Sequence, residues 1–341
     1  MQTQIILLLS LVICCFKAYS QECTNDGEDE ACRALAPLGG PTEFIESSLG
    51  MRLAVRRWTP PNDDPIKSSL IVQHGGAGWH SGYFDGLGQA LSAQGIAVIA
   101  YDQMGSGYSD SFKEGLRYYF DSMDTVANDL EKIVIRVKND YPGKKVFVLG
   151  ESLGGLQVLY HILRDSSQEN TTNRFLADGY ILSAPVINIK KGILPPKPIV
   201  RFMQWLGRFF PMAKMPVAPG FGPDFDSAFG DPRWARAGRM DPLVQEAANT
   251  PPRLGMLRSM FLAISKVSDN LDQVAVPFHI LIGSKETRVD VSDSERLYEV
   301  AHSKDKAFTR VEGGHHQLYQ DMPQVTQFVI DKVASWILER S

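Results

Sequence analysis

The stretch Lys145-Val146-Phe147-Val148-Leu149-Gly150-Glu151-Ser152-Leu153-Gly154-Gly155 decides how this chain is read. Lys145–Leu149 has the composition of a buried strand, and Leu153–Arg164 reads as a helix. Between them, Gly150-Glu151-Ser152-Leu153-Gly154 fits the pattern G-x-S-x-G. The bare pattern is common, so the strand–turn–helix context carries the argument. A serine in such a turn sits in strained backbone at the carboxyl end of a strand. Its hydroxyl is exposed, and the next backbone N–H points into the same space. The flanking glycines let strand and helix approach closely. Ser152 is therefore the expected nucleophile.

Working outward, strands and helices alternate on both sides of the elbow. Phe44–Ser48 and Leu53–Trp58 pair as a hairpin around Gly50. Ser69–His74 reads as a strand, Tyr83–Ala93 as a helix and Ala97–Asp102 as a strand. Residues 123–140 form an amphipathic helix through Val126, Leu130, Ile133 and Val137. Strands follow at Gly179–Ser183, Val276–Gly283 and Ala307–Val311, with a helix at Ser292–Ala301. The closing helix has the apolar face Val325, Phe328, Val329, Val333 and Trp336. This alternation predicts βαβ units and a mostly parallel sheet flanked by helices. Strands apolar on both faces belong to a sheet covered on both sides.

The pattern breaks between Pro185 and Pro252, where 12 of the 20 prolines fall. The stripe Ile199, Phe202, Met203, Leu206, Phe209 and Phe210 lies there. It reads as an inserted helical cap, about 186–252, with Phe202, Met203 and Leu206 lining an acyl site. A cap of this kind also makes transient contact with a membrane surface. Its plainer reading is a second small core.

Ile5 to Phe16 is an apolar run followed by Lys17-Ala18-Tyr19-Ser20, the pattern of a secretory signal cut after Ser20. The run is too short for a bilayer, which needs about 20 residues. Residues 1–20 are thus expected to be removed, 21–40 to form a flexible lead-in, and 41–341 the folded domain. The whole chain has a formal net charge of -4, and removing Lys17 with the leader makes the remainder one charge more negative. Cys23 and Cys32 then remain, either paired in a short loop or as free thiols. Asn170-Thr171-Thr172 is an N-glycosylation sequon, consistent with export. No basic block or nucleic-acid motif is present, so a polyanionic partner is not indicated.

A nucleophilic serine needs a base, and the base needs an orienting acid. In this architecture the chain order is Ser, acid, His. The loop after the last strand offers His315 and His316, of which His316 is preferred. The loop after the penultimate strand offers Glu286 and Asp290, and Glu286 is preferred because it comes three residues after Gly283. His161, His279 and His302 fall on other elements and read as structural, while His74 and His80 shape the first glycine loop. Two backbone N–H groups must hold the oxyanion. Leu153 supplies one, and Gly76, or else Ala77, supplies the other from the loop His74–Gly78. Tyr101–Gly107 has incomplete spacing for a dinucleotide fingerprint and reads as a turn. No P-loop, HExxH or metal-spaced Cys/His cluster occurs, so no cofactor or metal is expected.

On these residues the chain resembles the monoacylglycerol lipase and lysophospholipase branch of the α/β-hydrolases, also grouped as serine aminopeptidase-like hydrolases. It is especially similar to the plant monoglyceride lipase and caffeoylshikimate esterase type. The matching runs include His74-Gly75, His80-Ser81-Gly82, Leu149–Gly155, Leu182–Pro185, Pro252–Gly255, Val276–Phe278 and Ser303–Lys306. The resemblance implies an α/β-hydrolase fold and hydrolysis of an acyl ester, such as a monoacylglycerol or lysophospholipid. It places the nucleophile on Ser152 and the base on His316. The family's acid is usually Asp, and Glu286 departs from that. The loop His74–Gly78 is one residue longer than the usual form. Asp102–Gly107 is similar instead to proline iminopeptidases, which makes an aminopeptidase the rival activity. Those enzymes usually carry Trp after the serine, where this chain has Leu153. A non-catalytic binding protein of the same fold is the remaining alternative.

Overall fold

A computed structural model describes residues 39–76, 79–166, 177–188, 197–215 and 225–341. The leader, Cys23, Cys32, Ala77 and Asn170 lie outside the described residues. The eight strands are β1 (Glu43–Glu46), β2 (Arg52–Trp58), β3 (Ser68–Gln73), β4 (Ile96–Tyr101), β5 (Lys145–Glu151), β6 (Gly179–Ser183), β7 (Phe278–Gly283) and β8 (Lys306–Val311). They form one sheet in the order β1-β2-β4-β3-β5-β6-β7-β8. β1 and β2 pair antiparallel, as do β2 and β4, and every other pairing is parallel. The strand order reverses at β3, which opens a crevice at the carboxyl ends of β3 and β5. Open α/β sheets bind ligands at such a switch point.

Side-chain direction alternates along each strand, so each face builds its own core. Ile71, Ile99, Val148 and Leu182 face one side. There they meet Leu130, Ile133 and Val137 of α2 (Met123–Asp140) and Leu156 and Leu159 of α3 (Leu153–Ser166). Leu70, Val72, Val98, Phe147 and Leu149 face the other side. They meet Leu87 and Leu91 of α1 (Asp85–Ser92) and Val329, Val333 and Trp336 of α10 (Pro323–Leu338). Each fully buried Leu, Val or Phe contributes roughly 1.5–3 kcal/mol by leaving water. Helix ends follow local chemistry: the Ser122 hydroxyl accepts from Thr125 N–H at 3.0 Å to start α2.

Several expectations are corrected. The helix expected from Tyr83 begins as a 3-10 turn, Ser81–Phe84, and becomes α1 at Asp85. Phe328 is not on the buried face of α10: it is exposed, with the Lys332 ammonium over its ring at 5.4 Å. Between β6 and β7 lie α4 (Lys197–Phe209), α5 (Phe225–Ala228), α6 (Pro232–Met240), α7 (Pro242–Ala248) and α8 (Leu254–Asp269). The insertion expected to stop at Pro252 is followed directly by α8, a helix that the sequence reading leaves unassigned. Residues 254–267 of α8 bury Leu254, Leu257, Phe261, Ile264 and Val267 in the α2–α3 core. The stripe on α4 divides. Met203 and Leu206 pack on the core, whereas Ile199, Phe202, Phe209 and Phe210 are exposed together with Trp205.

Candidate active site

The chain turns at Ser152 with φ of +54°, a left-handed conformation that a residue with a Cβ rarely adopts. Hydrogen bonds to the next strand hold this strain. Ser152 N–H donates to Ser183 O at 2.9 Å, and Val186 N–H donates to Ser152 O at 3.0 Å. The glycine-rich flanks are required by space: a Cβ on Gly154 would lie 2.0 Å from Gln73 O. The elbow is thus pressed against the end of β3, where the first glycine loop begins.

His316 follows β8, and its Nε2 lies 2.9 Å from Ser152 Oγ. Its Nδ1 lies 2.8 Å from Glu286 Oε2. The other oxygen of Glu286 accepts N–H groups from Arg288 and Val289, the latter at 3.1 Å. Burial works to raise the Glu286 pKa, but the hydrogen bond and charge of His316, with those backbone donors, outweigh it and hold the carboxyl below its usual range. The carboxylate therefore stays ionised beside the imidazole. The loops that carry Glu286 and His316 are also tied to each other. Lys285 N–H donates to Gly314 O at 2.9 Å, and Gly313 N–H donates to Ser284 Oγ at 2.8 Å.

The competing residues do other work. Asp290 starts α9 (Val291–Val300), accepting from Ser292 N–H at 3.1 Å and Ser292 Oγ at 2.7 Å. His315 is held by Asp321, to which its N–H donates at 2.6 Å. His279 is buried in β7 with Nε2 2.9 Å from Thr309 Oγ1, and burial pushes its pKa down to about 4. His161 is buried in α3, and His302 is exposed. His80 bonds Asp241 of the cap at 2.8 Å, and Tyr83 reaches the same carboxylate at 3.0 Å. His74 lies 3.7 Å from the buried Asp102, and Asp102 takes N–H groups from Ser81 at 2.6 Å and Tyr108 at 2.8 Å.

Gly75 and Gly76 lie beside the elbow on the same cavity as Ser152. Leu153 N–H, the expected oxyanion donor, points at this loop and donates to Gly75 O through a long bond of 3.3 Å. Two buried polar clusters support these groups and were not read from the sequence. Beneath the glycine loop, the Gln103 amide donates to His74 O and, at 3.0 Å, to Gln157 Oε1. Gln73 adds a 2.6 Å bond to the same oxygen. Behind Ser152, Glu151 is fully buried. With the Gln317 amide oriented to satisfy both groups, its nitrogen donates to the two Glu151 oxygens at 2.7 and 2.9 Å. Burial pushes the Glu151 pKa up to about 8. Glu151 precedes Ser152 and Gln317 follows His316, so the pair bridges the two loops beside the Ser152–His316–Glu286 chain. The polar residue inside the G-x-S-x-G motif was the available signal for Glu151. Nothing in the sequence pairs it with Gln317.

Ser152 and His316 open onto a cavity of about 300 Å³ under the cap. Its walls are chiefly apolar: Tyr118, Phe120, Val186, Phe229, Met256 and Met260 among others. Phe202, Met203 and Leu206, expected to line the acyl site, are not among the lining residues. Met203 and Leu206 turn into the core and Phe202 turns outward, so α5, α7 and α8 supply the cap side of the wall instead. Among the described residues no group of three or more His, Cys, Asp or Glu could hold a metal ion.

The family model described as serine aminopeptidase, S33 (Hydrolase_4) matches residues 64–323. Human monoglyceride lipase is 27% identical over 307 residues, covering 86% of this chain and 88% of that protein. Caffeoylshikimate esterase of Arabidopsis thaliana is 27% identical over 314 residues, covering 88% and 90%. Among solved structures, a soluble variant of monoglyceride lipase from Saccharomyces cerevisiae superposes with a TM-score of 0.72 at 18% identity. It covers 89% of this chain and 95% of that one, which shows the shared α/β-hydrolase fold.

Proposed function

Because the chain belongs to the serine aminopeptidase S33 (Hydrolase_4) family and is a serine hydrolase of α/β-hydrolase fold, we propose that it hydrolyses acyl esters of glycerol, monoacylglycerols or lysophospholipids, through Ser152, His316 and Glu286. The observation that carries this reading is the relay Ser152–His316–Glu286, at 2.9 and 2.8 Å, opening onto an apolar cavity. His316 Nε2 takes the proton of Ser152 Oγ as that oxygen attacks the ester carbonyl. Glu286 fixes the Nδ1–H tautomer and stabilises the imidazolium that forms. The N–H groups of Leu153 and Gly76 receive the oxyanion. The alcohol leaves with the proton from His316, and water then releases the acyl group by the same relay. An aminopeptidase needs an acidic group to hold the substrate's free amine. The described cavity lining carries no carboxylate, which favours the ester reading.

Two further parts of the proposal concern location. The run Ile5–Phe16 with a cut after Ser20 supports export. Exposed Phe202, Trp205, Phe209 and Phe210, with Arg201 and Arg208 on the same helix, support transient contact of the cap with a lipid surface. No helix among the described residues is long and apolar enough to cross a membrane.

The test is hydrolysis of a monoacylglycerol and of a p-nitrophenyl ester series by the purified chain, beside Ser152→Ala. Turnover of medium or long acyl chains that disappears in the variant is expected. Turnover confined to the shortest esters would remove the lipid substrate, and activity surviving in Ser152→Ala would remove the nucleophile.

A further inference from the structure

Two adjacent rungs join the loop after β5 to the loop after β8. One runs from Ser152 Oγ to His316 Nε2 at 2.9 Å. The other joins the next residue on each side: the Gln317 nitrogen donates to the two Glu151 oxygens at 2.7 and 2.9 Å. Glu151, Ser152, His316 and Gln317 thus close a ring of two covalent links and two hydrogen-bonded ones. A single hydrogen bond fixes a distance and leaves its partners free to swing, and a second one residue away removes that freedom. Gln317 is also held by the cap, since its backbone N–H donates to Ala228 O at 2.9 Å. That N–H belongs to the peptide that leaves His316. Glu286 holds the His316 ring at Nδ1, whereas Glu151 and the cap hold its backbone through Gln317.

Glu151 is not among the residues that line the cavity. A carboxyl group buried this completely costs the fold stability once it ionises. Groups that break a packing rule in this way are expected at functional positions. The geometry of the second rung also depends on the proton. A carboxylate accepts at both oxygens, and the Gln317 amide has two N–H groups to give. A carboxylic acid turns one oxygen into a donor that faces an N–H, so one of the two contacts is lost. Burial pushes the Glu151 pKa up to about 8. Around the carboxyl stand Ser183 of β6, opposite it in register, the His316 imidazole next to Gln317, and the Tyr319 phenol on the 3-10 turn Leu318–Gln320. The pKa of Tyr319 is raised by burial and by the charge of Glu151, so the phenol keeps its proton while Glu151 changes charge.

We propose that Glu151 is a positioning residue: through Gln317 its carboxylate holds His316 in line with Ser152, and a proton taken up by Glu151 loosens that hold. This rests on the ester-hydrolase reading above and adds a control on the same relay. Glu151 touches neither the substrate nor the reacting atoms, so its effect falls on kcat and leaves KM nearly unchanged.

The test measures hydrolysis of 1-decanoylglycerol, below its micellar concentration, from pH 6 to 9.5 by the purified chain and by Glu151→Gln. An amide at position 151 makes a neutral contact with Gln317 at every pH. The ratio of the two kcat values cancels the ionisation of His316, which both proteins share. That ratio should lie within about twofold of one at pH 6 and rise to about tenfold by pH 9.5, the margin of charge-assisted over neutral hydrogen bonds. KM should agree within about twofold throughout. A folding defect has the opposite signature, because the slower variant should melt no lower than the unmodified chain. In a Gln317→Ala background, or Gln317→Met where that does not fold, Glu151→Gln should change kcat by less than about twofold at any pH. A ratio that stays flat or falls with pH would overturn the assignment and leave the ester reading standing. So would a rise with pH that persists without Gln317. No turnover of the ester by the unmodified chain would overturn both.

Discussion

Replacing Glu151 with Gln should make the protein more heat-resistant at alkaline pH and leave it nearly unchanged in acid. Burial raises the Glu151 pKa from 4.5 to about 8. A carboxyl group raised in the fold favours the native state below its unfolded value. That contribution is lost as pH climbs from 4.5 through about 8. The gap between those values corresponds to on the order of 5 kcal/mol. The Gln317 amide offsets part of this, since hydrogen bonds to a charged group contribute about 1.5–3 kcal/mol. Roughly 2–3 kcal/mol of destabilisation therefore remains once the proton is gone. The substituted amide never ionises and avoids it. At about 2 °C per kcal/mol for a large domain, Glu151→Gln should melt on the order of 5 °C above the unmodified chain at pH 8–9. The difference should shrink toward zero near pH 5. The assay is a series of thermal melts of both proteins at constant ionic strength. Other titrating groups, Asp102 and Glu286 included, are shared and cancel in the difference. A melting-point difference that stays flat from pH 5 to 9 would show that Glu151 does not titrate in this window, and the argument from its burial would fail.

Glu286→Gln should lower kcat by roughly 10³–10⁴-fold, because the amide cannot stabilise the imidazolium. Asp290→Asn should keep kcat within about twofold, since Asn caps a helix as well as Asp does; the reverse ranking in steady-state kinetics would move the acid to Asp290. Gly154→Ala should cost about 2–3 kcal/mol or more, read as a lowered melting point. The added Cβ would meet the carbonyl of Gln73 at 2.0 Å, and backbone cannot move aside as a side chain can. Trp205→Ala combined with Phe209→Ala should leave the melting point within about 1 °C, because both rings are exposed, and should reduce co-sedimentation with phospholipid vesicles. Undiminished sedimentation would remove α4 as the contact.

The parts of this protein that were legible in sequence are those set by local pattern. The parallel sheet announced itself because β3 to β6 are apolar on both faces, and the elbow because glycine must flank a turn that leaves no room for a Cβ. The loops that bring Glu286 and His316 to Ser152 were reachable because chain order and strand ends restrict the candidates to two short segments. Local pattern fails where long-range packing decides. On α4, Leu206 and Phe209 have the same periodic signature, yet one packs against the core and the other is exposed. Only the position of α8 determines which. α8 itself was missed: it follows a Pro-rich stretch that read as the end of an insertion. The residues behind the triad were invisible for the same reason. Gln73, Gln103 and Gln157 are ordinary polar residues until β3, β4 and α3 bring their amides together.

Those buried contacts explain how three strand ends make one site. Ser152, Glu286 and His316 stand on loops after β5, β7 and β8, and none is close to another in sequence. The Ser152 turn is fastened to β6, the acid loop to the histidine loop, and the histidine loop to Glu151 through Gln317. Gln317 N–H also donates to Ala228 O of the cap at 2.9 Å, so the cap helix is seated on the loop that carries the base. The oxyanion donor of the proposed mechanism is differently placed. Leu153 N–H rests on the neutral carbonyl of Gly75 at 3.3 Å, a long bond. An oxyanion carries a full negative charge, and charge-assisted hydrogen bonds are about twice as strong as neutral ones. In that mechanism the developing tetrahedral intermediate outcompetes Gly75 for the N–H. On the proposed mechanism the donor is satisfied before substrate arrives and passes to the charge as it forms, so Leu153 would contribute more in the transition state than in the ground state.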